Sequence, residues 1–128
     1  MLNKIIPTVM VISGLLTLTM LQALFAPDAA MQSLFNESPD GALRDILVRN
    51  WGVLIGLMGA LLIYGAFHKP SRSLALVLSS VSKLSFVALV LSQGDRYLAG
   101  MTVPVAVDSV MIILFLIFLF VGARTRAA

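Results

Sequence analysis

Long apolar runs separated by short polar stretches dominate this chain. The first run, Ile5 to Ala26, contains 22 residues without a charge and spans ~33 Å as a helix, which is enough to cross a hydrocarbon core. Pro104, a residue favoured in the first turn of a helix, marks the start of the last run. Three further runs lie at about 48–67, 72–93 and 104–123. The pattern predicts an all-α fold: a four-helix transmembrane bundle that forms a single domain, residues 1–128.

The polar stretch from residue 27 to residue 47 is the one sizeable segment predicted to lie outside the membrane. Pro27 suits the first turn of a helix, and Met31, Leu34 and Phe35 then share one face. We therefore expect a periplasmic loop that contains a short helix in the membrane interface.

Composition supports a membrane environment and excludes several kinds of chemistry. The apolar share is 59% and the charged share 12%, whereas soluble domains carry about 25% charged residues. The chain has no cysteine and a single histidine, His68, so disulfide exchange, thiolate metal sites and paired haem ligation are excluded. The nine Lys and Arg residues are scattered, which argues against nucleic-acid binding. We predict no cofactor and no metal site.

The distribution of charges predicts the orientation. One side of the predicted bundle has only cations: Lys4, Lys69, Arg72, Arg124 and Arg126. On the other side, three arginines are outnumbered by acids: Arg44, Arg49 and Arg96 against Asp28, Glu37, Asp40, Asp45 and Asp95. The first side is therefore predicted to be cytoplasmic, with both termini there. The expected location is a bacterial inner membrane, which the chain crosses several times.

Glycines recur along the second span. Gly52 and Gly56 form a small-xxx-small pair, and Gly59 follows on the same helix. Such spacing allows a second helix to approach closely. Two interpretations remain open: ordinary packing within one bundle, or a dedicated face for a second copy.

Lys83 is the most informative residue, because it lies in the middle of the third span. A charge at the bilayer centre costs about 2.5–3.5 kcal/mol on insertion scales. Three interpretations apply: a structural ion pair, a functional site, or a side chain that snorkels. Asp108 is the obvious partner within the membrane, with a predicted axial offset of ~7–8 Å. Direct contact and an intervening water or ligand remain equally open.

Hydroxyl side chains surround Lys83 in the predicted helices. Ser79 and Ser82 share its face, and the first span adds Ser13 and Thr17. They either join helices through hydrogen bonds or line a small polar pocket. The predicted rim of such a pocket contains Arg49, Asn50 and Gln93.

The layout resembles that of the DoxX-like small bacterial membrane proteins. The residues that carry the resemblance are Arg49-Asn50-Trp51-Gly52 and the glycine-rich run from Gly56 to Gly65. DoxX itself is associated with quinone-linked sulfur oxidation. The resemblance covers topology over most of the chain and no specific motif, so only the fold is implied for this chain.

Two functional hypotheses follow. The first is a non-enzymatic accessory or scaffold protein that binds a membrane-protein partner or itself, suggested by the glycine-rich faces and the small extramembrane mass. The alternative is a binding or transport module, in which Lys83 and Asp108 hold a small anionic, lipid-like or quinone-like ligand. An enzyme ranks third, because the sequence contains no evident nucleophile–base pair or metal set.

Overall fold

We analysed a computed structural model, which describes residues 2–35 and 40–127, with side chains for 4–35 and 40–122. The elements are α1 (Leu2–Leu18), a 3-10 turn (Thr19–Leu21), α2 (Gln22–Phe25), α3 (Pro27–Phe35), α4 (Ala42–Phe67), α5 (Lys69–Ser92) and α6 (Leu98–Ala127). Within the described ranges there is no strand, so the all-α prediction is confirmed. Loop residues 36–39, and the side chains of Arg124 and Arg126 used in the charge comparison, lie outside the described residues.

Among the described residues, four segments are long and apolar enough to cross a membrane: Lys4–Phe25, Ala42–Phe67, Lys69–Ser92 and Leu98–Gly122. Large apolar side chains such as Leu57, Leu89 and Phe120 point outward and are more than half exposed. A soluble monomer rarely exposes so large an apolar surface. These are the properties of a multi-pass membrane protein.

The helices differ from the predicted spans in two places. The second helix begins at Ala42 rather than near residue 48, because Ala42–Leu47 continues the helix outside the apolar run. The fourth begins at Leu98, so the prediction that Pro104 opens it was wrong. Proline is tolerated inside membrane helices when neighbouring groups satisfy the freed backbone. The apolar run therefore identified the middle of each helix better than its ends.

The bundle is held together mainly by three helix pairs. We call α1, the 3-10 turn and α2 together the first helical segment. This segment packs on α4, α4 packs on α5, and α5 packs on α6. The centre of the bundle is filled by the fully buried side chains Met10, Leu62, Leu76 and Phe115. By contrast, α1 and α6 have few contacts with each other, so this side of the bundle is the most loosely packed.

Glycine allows α1 and α4 to cross with their backbones nearly touching. A Cβ atom built on Gly59 would lie 2.7 Å from the Gly14 carbonyl oxygen and 2.9 Å from the Leu18 nitrogen. At Gly52 it would meet Ala23 and the Met20 carbonyl, and at Gly56 it would meet the Leu21 side chain. All three α4 glycines highlighted by the sequence therefore face the first helical segment of the same chain.

Arg72 has a structural role at the hairpin between α4 and α5. Its side chain is buried and donates hydrogen bonds to the carbonyl oxygens of Gly65 (3.2 Å) and Ala66 (2.7 Å). These carbonyls belong to the last turn of α4, whose final carbonyls have no partner within the helix. A cation there also interacts favourably with the helix dipole.

Candidate functional site

Lys83 and Asp108 form a direct ion pair inside the bundle. The Lys83 Nζ lies 2.8 Å from Asp108 Oδ1, and the two side chains are 11% and 20% exposed. The ammonium also donates to Thr17 Oγ1 at 3.4 Å. The sequence left open whether the two side chains touch directly or through a water or ligand, and in the structure they touch directly.

The early start of α6 explains why the two charges meet. Lys83 lies nine residues before the end of α5, and Asp108 lies ten residues after the start of α6. Because the helices are antiparallel neighbours, these depths match. The predicted axial offset came from placing the helix start at Pro104, which made Asp108 too shallow.

A cavity of about 300 Å³ surrounds this ion pair. Its walls are mostly apolar and come from α1, α4, α5 and α6, with Leu34 of α3 at one end. We call that end the α3 end. The polar lining comprises Ser13, Thr17, Thr19, Gln22, Ser79, Ser82, Lys83 and Asp108. In the first helical segment the lining residues run from Ser13 to Gln22, nine residues apart and ~13 Å along the helix. The cavity is therefore elongated along the bundle.

Two hydroxyl groups at the deep end of the cavity have no hydrogen-bond partner in the part of the protein that the structure describes. Ser13 and Ser79 are each 1% exposed, and neither Oγ atom forms a hydrogen bond with the described residues. Both lie about one helical turn beyond the Lys83–Asp108–Thr17 layer, away from the α3 end. Buried polar groups are normally hydrogen-bonded. Ser80 Oγ is unpaired in the same way but lies outside the cavity lining, whereas Ser13 and Ser79 belong to it and could pair with a polar group that reaches its deep end.

An aromatic cluster that includes the lining residue Trp51 lies at the α3 end of the cavity. Phe35 of α3 packs against Trp51 (ring centroids 6.2 Å apart) and against Tyr97 (5.4 Å, edge to face). An ion pair between Arg44 and Asp28, at 2.6 Å, joins α3 to α4. Trp51, which the sequence suggested only as an interfacial anchor, lines the cavity.

The structure brings together four of the six predicted ligand-binding residues. Ser79, Ser82, Lys83 and Asp108 line the cavity, whereas the predicted rim residues Arg49, Asn50 and Gln93 are exposed and lie outside its lining. Arg49 instead donates to the carbonyl oxygen of Leu24, 2.5 Å away, and so joins α4 to α2. Trp51, one position after Asn50, lines the cavity from α4 in place of the predicted rim residues.

In the part of the chain that the structure describes, no three His, Cys, Asp or Glu side chains cluster in a way that could hold a metal ion. Comparisons with protein-family models, curated proteins and solved structures find no match to this chain. The functional argument therefore rests on the geometry of the cavity.

Proposed function

We propose that this protein is a non-enzymatic binding module that holds a small amphipathic molecule in the cavity around Lys83 and Asp108. The observation that carries the proposal is the cavity's deep end, where Ser13 and Ser79 are buried without a partner among the described residues. Mostly apolar walls with a few convergent polar groups are typical of small-molecule sites, and about 300 Å³ lies at the lower end of their range.

The polar groups of the cavity are arranged to receive a head group. Lys83 donates one hydrogen bond to Asp108 and one to Thr17, which leaves one of its three N–H groups for a ligand. The hydroxyls of Ser13 and Ser79 each donate or accept. A ligand that supplies the missing partners removes the free-energy cost of burying these groups unpaired.

A scaffold or homo-oligomer role has less support than ligand binding. The sequence suggested that role because the second span has a glycine-rich face. Gly52, Gly56 and Gly59 are occupied by contacts with the first helical segment of the same chain. That face is therefore already used within the bundle, whereas the unpartnered hydroxyls favour a ligand.

Replacing Ser79 tests the proposal, with Ser80 as a matched control. Both hydroxyls are buried and unpartnered on α5, but only Ser79 lines the cavity. Trp51 is the only tryptophan and lines the cavity, so it reports occupancy by a brominated amphiphile through fluorescence quenching. We expect Ser79→Ala to weaken the binding of a brominated monoacylglycerol about ten-fold, the effect of one lost hydrogen bond of ~1.4 kcal/mol.

We expect Ser80→Ala to leave that binding unchanged. Both substitutions remove a buried unpaired hydroxyl, so each should raise the melting temperature of the ligand-free protein in detergent. Equal binding by wild type and Ser79→Ala would contradict the proposal, as would a Ser79→Leu variant that melts normally and still shows full quenching of Trp51.

We also propose that the protein resides in a bacterial inner membrane with both termini in the cytoplasm. The support is the cation-rich side of the charge distribution, which contains five Lys and Arg residues and no acid. A fluorescent protein that matures only in the cytoplasm should be active when fused after Ala128. Activity of an alkaline phosphatase fusion at the same position would place that terminus on the opposite side.

A further inference from the structure

We infer that the ligand is an uncharged single-chain lipid with a hydroxyl or carbonyl head group, which enters from the bilayer between α1 and α6. This inference rests on the proposed function and specifies the chemical class and the route of its ligand.

The charge of the site argues for an uncharged head group. Lys83 and Asp108 are the only charged side chains that line the cavity, and they neutralise each other at 2.8 Å. An anion would have to displace Asp108 from Lys83, and a cation would have to displace Lys83 from Asp108. Either would leave a charge unpaired in an apolar setting, which is strongly unfavourable.

Hydrogen-bonding capacity remains after the charges cancel. One Lys83 N–H and the hydroxyls of Ser13 and Ser79 are without partners among the described residues. An ester carbonyl or a hydroxyl matches these groups, because each such atom accepts or donates without carrying charge. The elongated, mostly apolar remainder of the cavity then accommodates one hydrocarbon chain.

The lateral opening argues for access from the membrane. At the α3 end the cavity is lined by Leu34 and Trp51, and Phe35 packs against both Trp51 and Tyr97 there. On the loosely packed side between α1 and α6, lining residues are open to the surroundings: Leu16 is 50% exposed and Val103 is 71% exposed. In a bilayer, those side chains contact lipid.

The helices that flank this opening each carry a feature that can disturb regular α-helical hydrogen bonding beside it. The first segment changes to a 3-10 turn at Thr19–Leu21, and α6 contains Pro104. Thr19, Met20 and Pro104 all line the cavity. A 3-10 turn within a helix often marks a hinge or a strained segment, and this one lies on the opening, across from the helix-internal Pro104 of α6.

A head-group series tests the chemical class. Three amphiphiles with the same brominated chain are titrated into vesicles containing the full-length protein: a monoacylglycerol, an alkyl sulfate and an alkyl trimethylammonium. The quenching of Trp51 fluorescence is compared at equal mole fractions of each amphiphile in the membrane. The variants Ser79→Leu and Ser13→Leu, whose larger side chains would block the cavity, give the background quenching. We expect the monoacylglycerol to reach half-quenching at a mole fraction about ten-fold lower than either charged amphiphile.

A matched pair of valines tests the route. Val103 and Val110 are both exposed on α6, but only Val103 lines the cavity. We expect Val103→Phe to slow the onset of Trp51 quenching after monoacylglycerol is added, and Val110→Phe to leave the rate at the wild-type value. Equal rates in all three proteins, or equal slowing in both variants, would overturn access between α1 and α6.

The outcomes separate this inference from the proposed function. If the sulfate or the trimethylammonium binds as tightly as the monoacylglycerol and the blocked variants abolish that binding, the cavity is a ligand site but its chemical class is not the one inferred. If quenching by all three amphiphiles equals the blocked-cavity background, both the proposed function and this inference fail.

Discussion

Replacing Lys83 or Asp108 alone is expected to lower the free energy of unfolding by about 3–5 kcal/mol, while replacing both should restore much of the loss. The two side chains are 11% and 20% exposed and lie 2.8 Å apart. Removing one therefore leaves the other charged and unpaired in an apolar bundle. The combination of Lys83→Met with Asp108→Asn removes both charges and should be markedly more stable than Asp108→Asn alone.

The measurement is a double-mutant cycle of unfolding in detergent, with the Arg44–Asp28 pair as a control. Asp28 approaches Arg44 to 2.6 Å, but its side chain is 74% exposed, so we expect Asp28→Asn to cost less than about 1 kcal/mol. Additive effects of Lys83→Met and Asp108→Asn would contradict a direct structural pair.

The second large effect is expected at the crossing of α1 and α4. Gly59→Ala should lower the free energy of unfolding by about 2 kcal/mol, within the range for overpacking, although alanine favours helix over glycine by ~1 kcal/mol. The added methyl group would lie 2.7 Å from the Gly14 carbonyl oxygen and 2.9 Å from the Leu18 nitrogen. Backbone atoms cannot rotate away, so α1 would have to move.

Gly56→Ala provides the matched control one turn earlier on the same helix. The atoms nearest to its methyl group would be those of the Leu21 side chain, which can adopt another rotamer, so we expect a change within about 1 kcal/mol. Unfolding by denaturant in detergent compares the two variants. Equal stability of Gly59→Ala and Gly56→Ala would show that α1 and α4 do not cross at Gly59.

The sequence was sufficient to predict the helices because lipid imposes strict requirements on length and hydropathy. The run from Ile5 to Ala26 has no other plausible structure, and Asp108 was the obvious acid for Lys83 in the membrane. Helix ends were less predictable. Ala42–Leu47, which contains the charged residues Arg44 and Asp45, extends α4 beyond its predicted start, and Pro104 lies inside α6 rather than at its start.

The cavity could be predicted only in part. Periodicity placed Ser79 and Ser82 beside Lys83, and all three line it. The change to 3-10 geometry at Thr19–Leu21 could not be predicted, because no glycine or proline lies within these three residues. Trp51 lines the cavity in place of the predicted rim residue Asn50. Which of the two faces inward depends on how α4 is rotated about its own axis, and the close packing of α4 against α1 determines that rotation.

The central claim is that the cavity beside Lys83 and Asp108 holds an amphipathic molecule. The most direct test is an experimental structure of the protein purified with its native lipids, inspected between Ser13, Ser79 and Lys83. The proposed function predicts continuous elongated density, with its polar end within hydrogen-bonding distance of the two serine hydroxyls. Isolated water peaks on those hydroxyls, or side chains that fill the space between them, would contradict it.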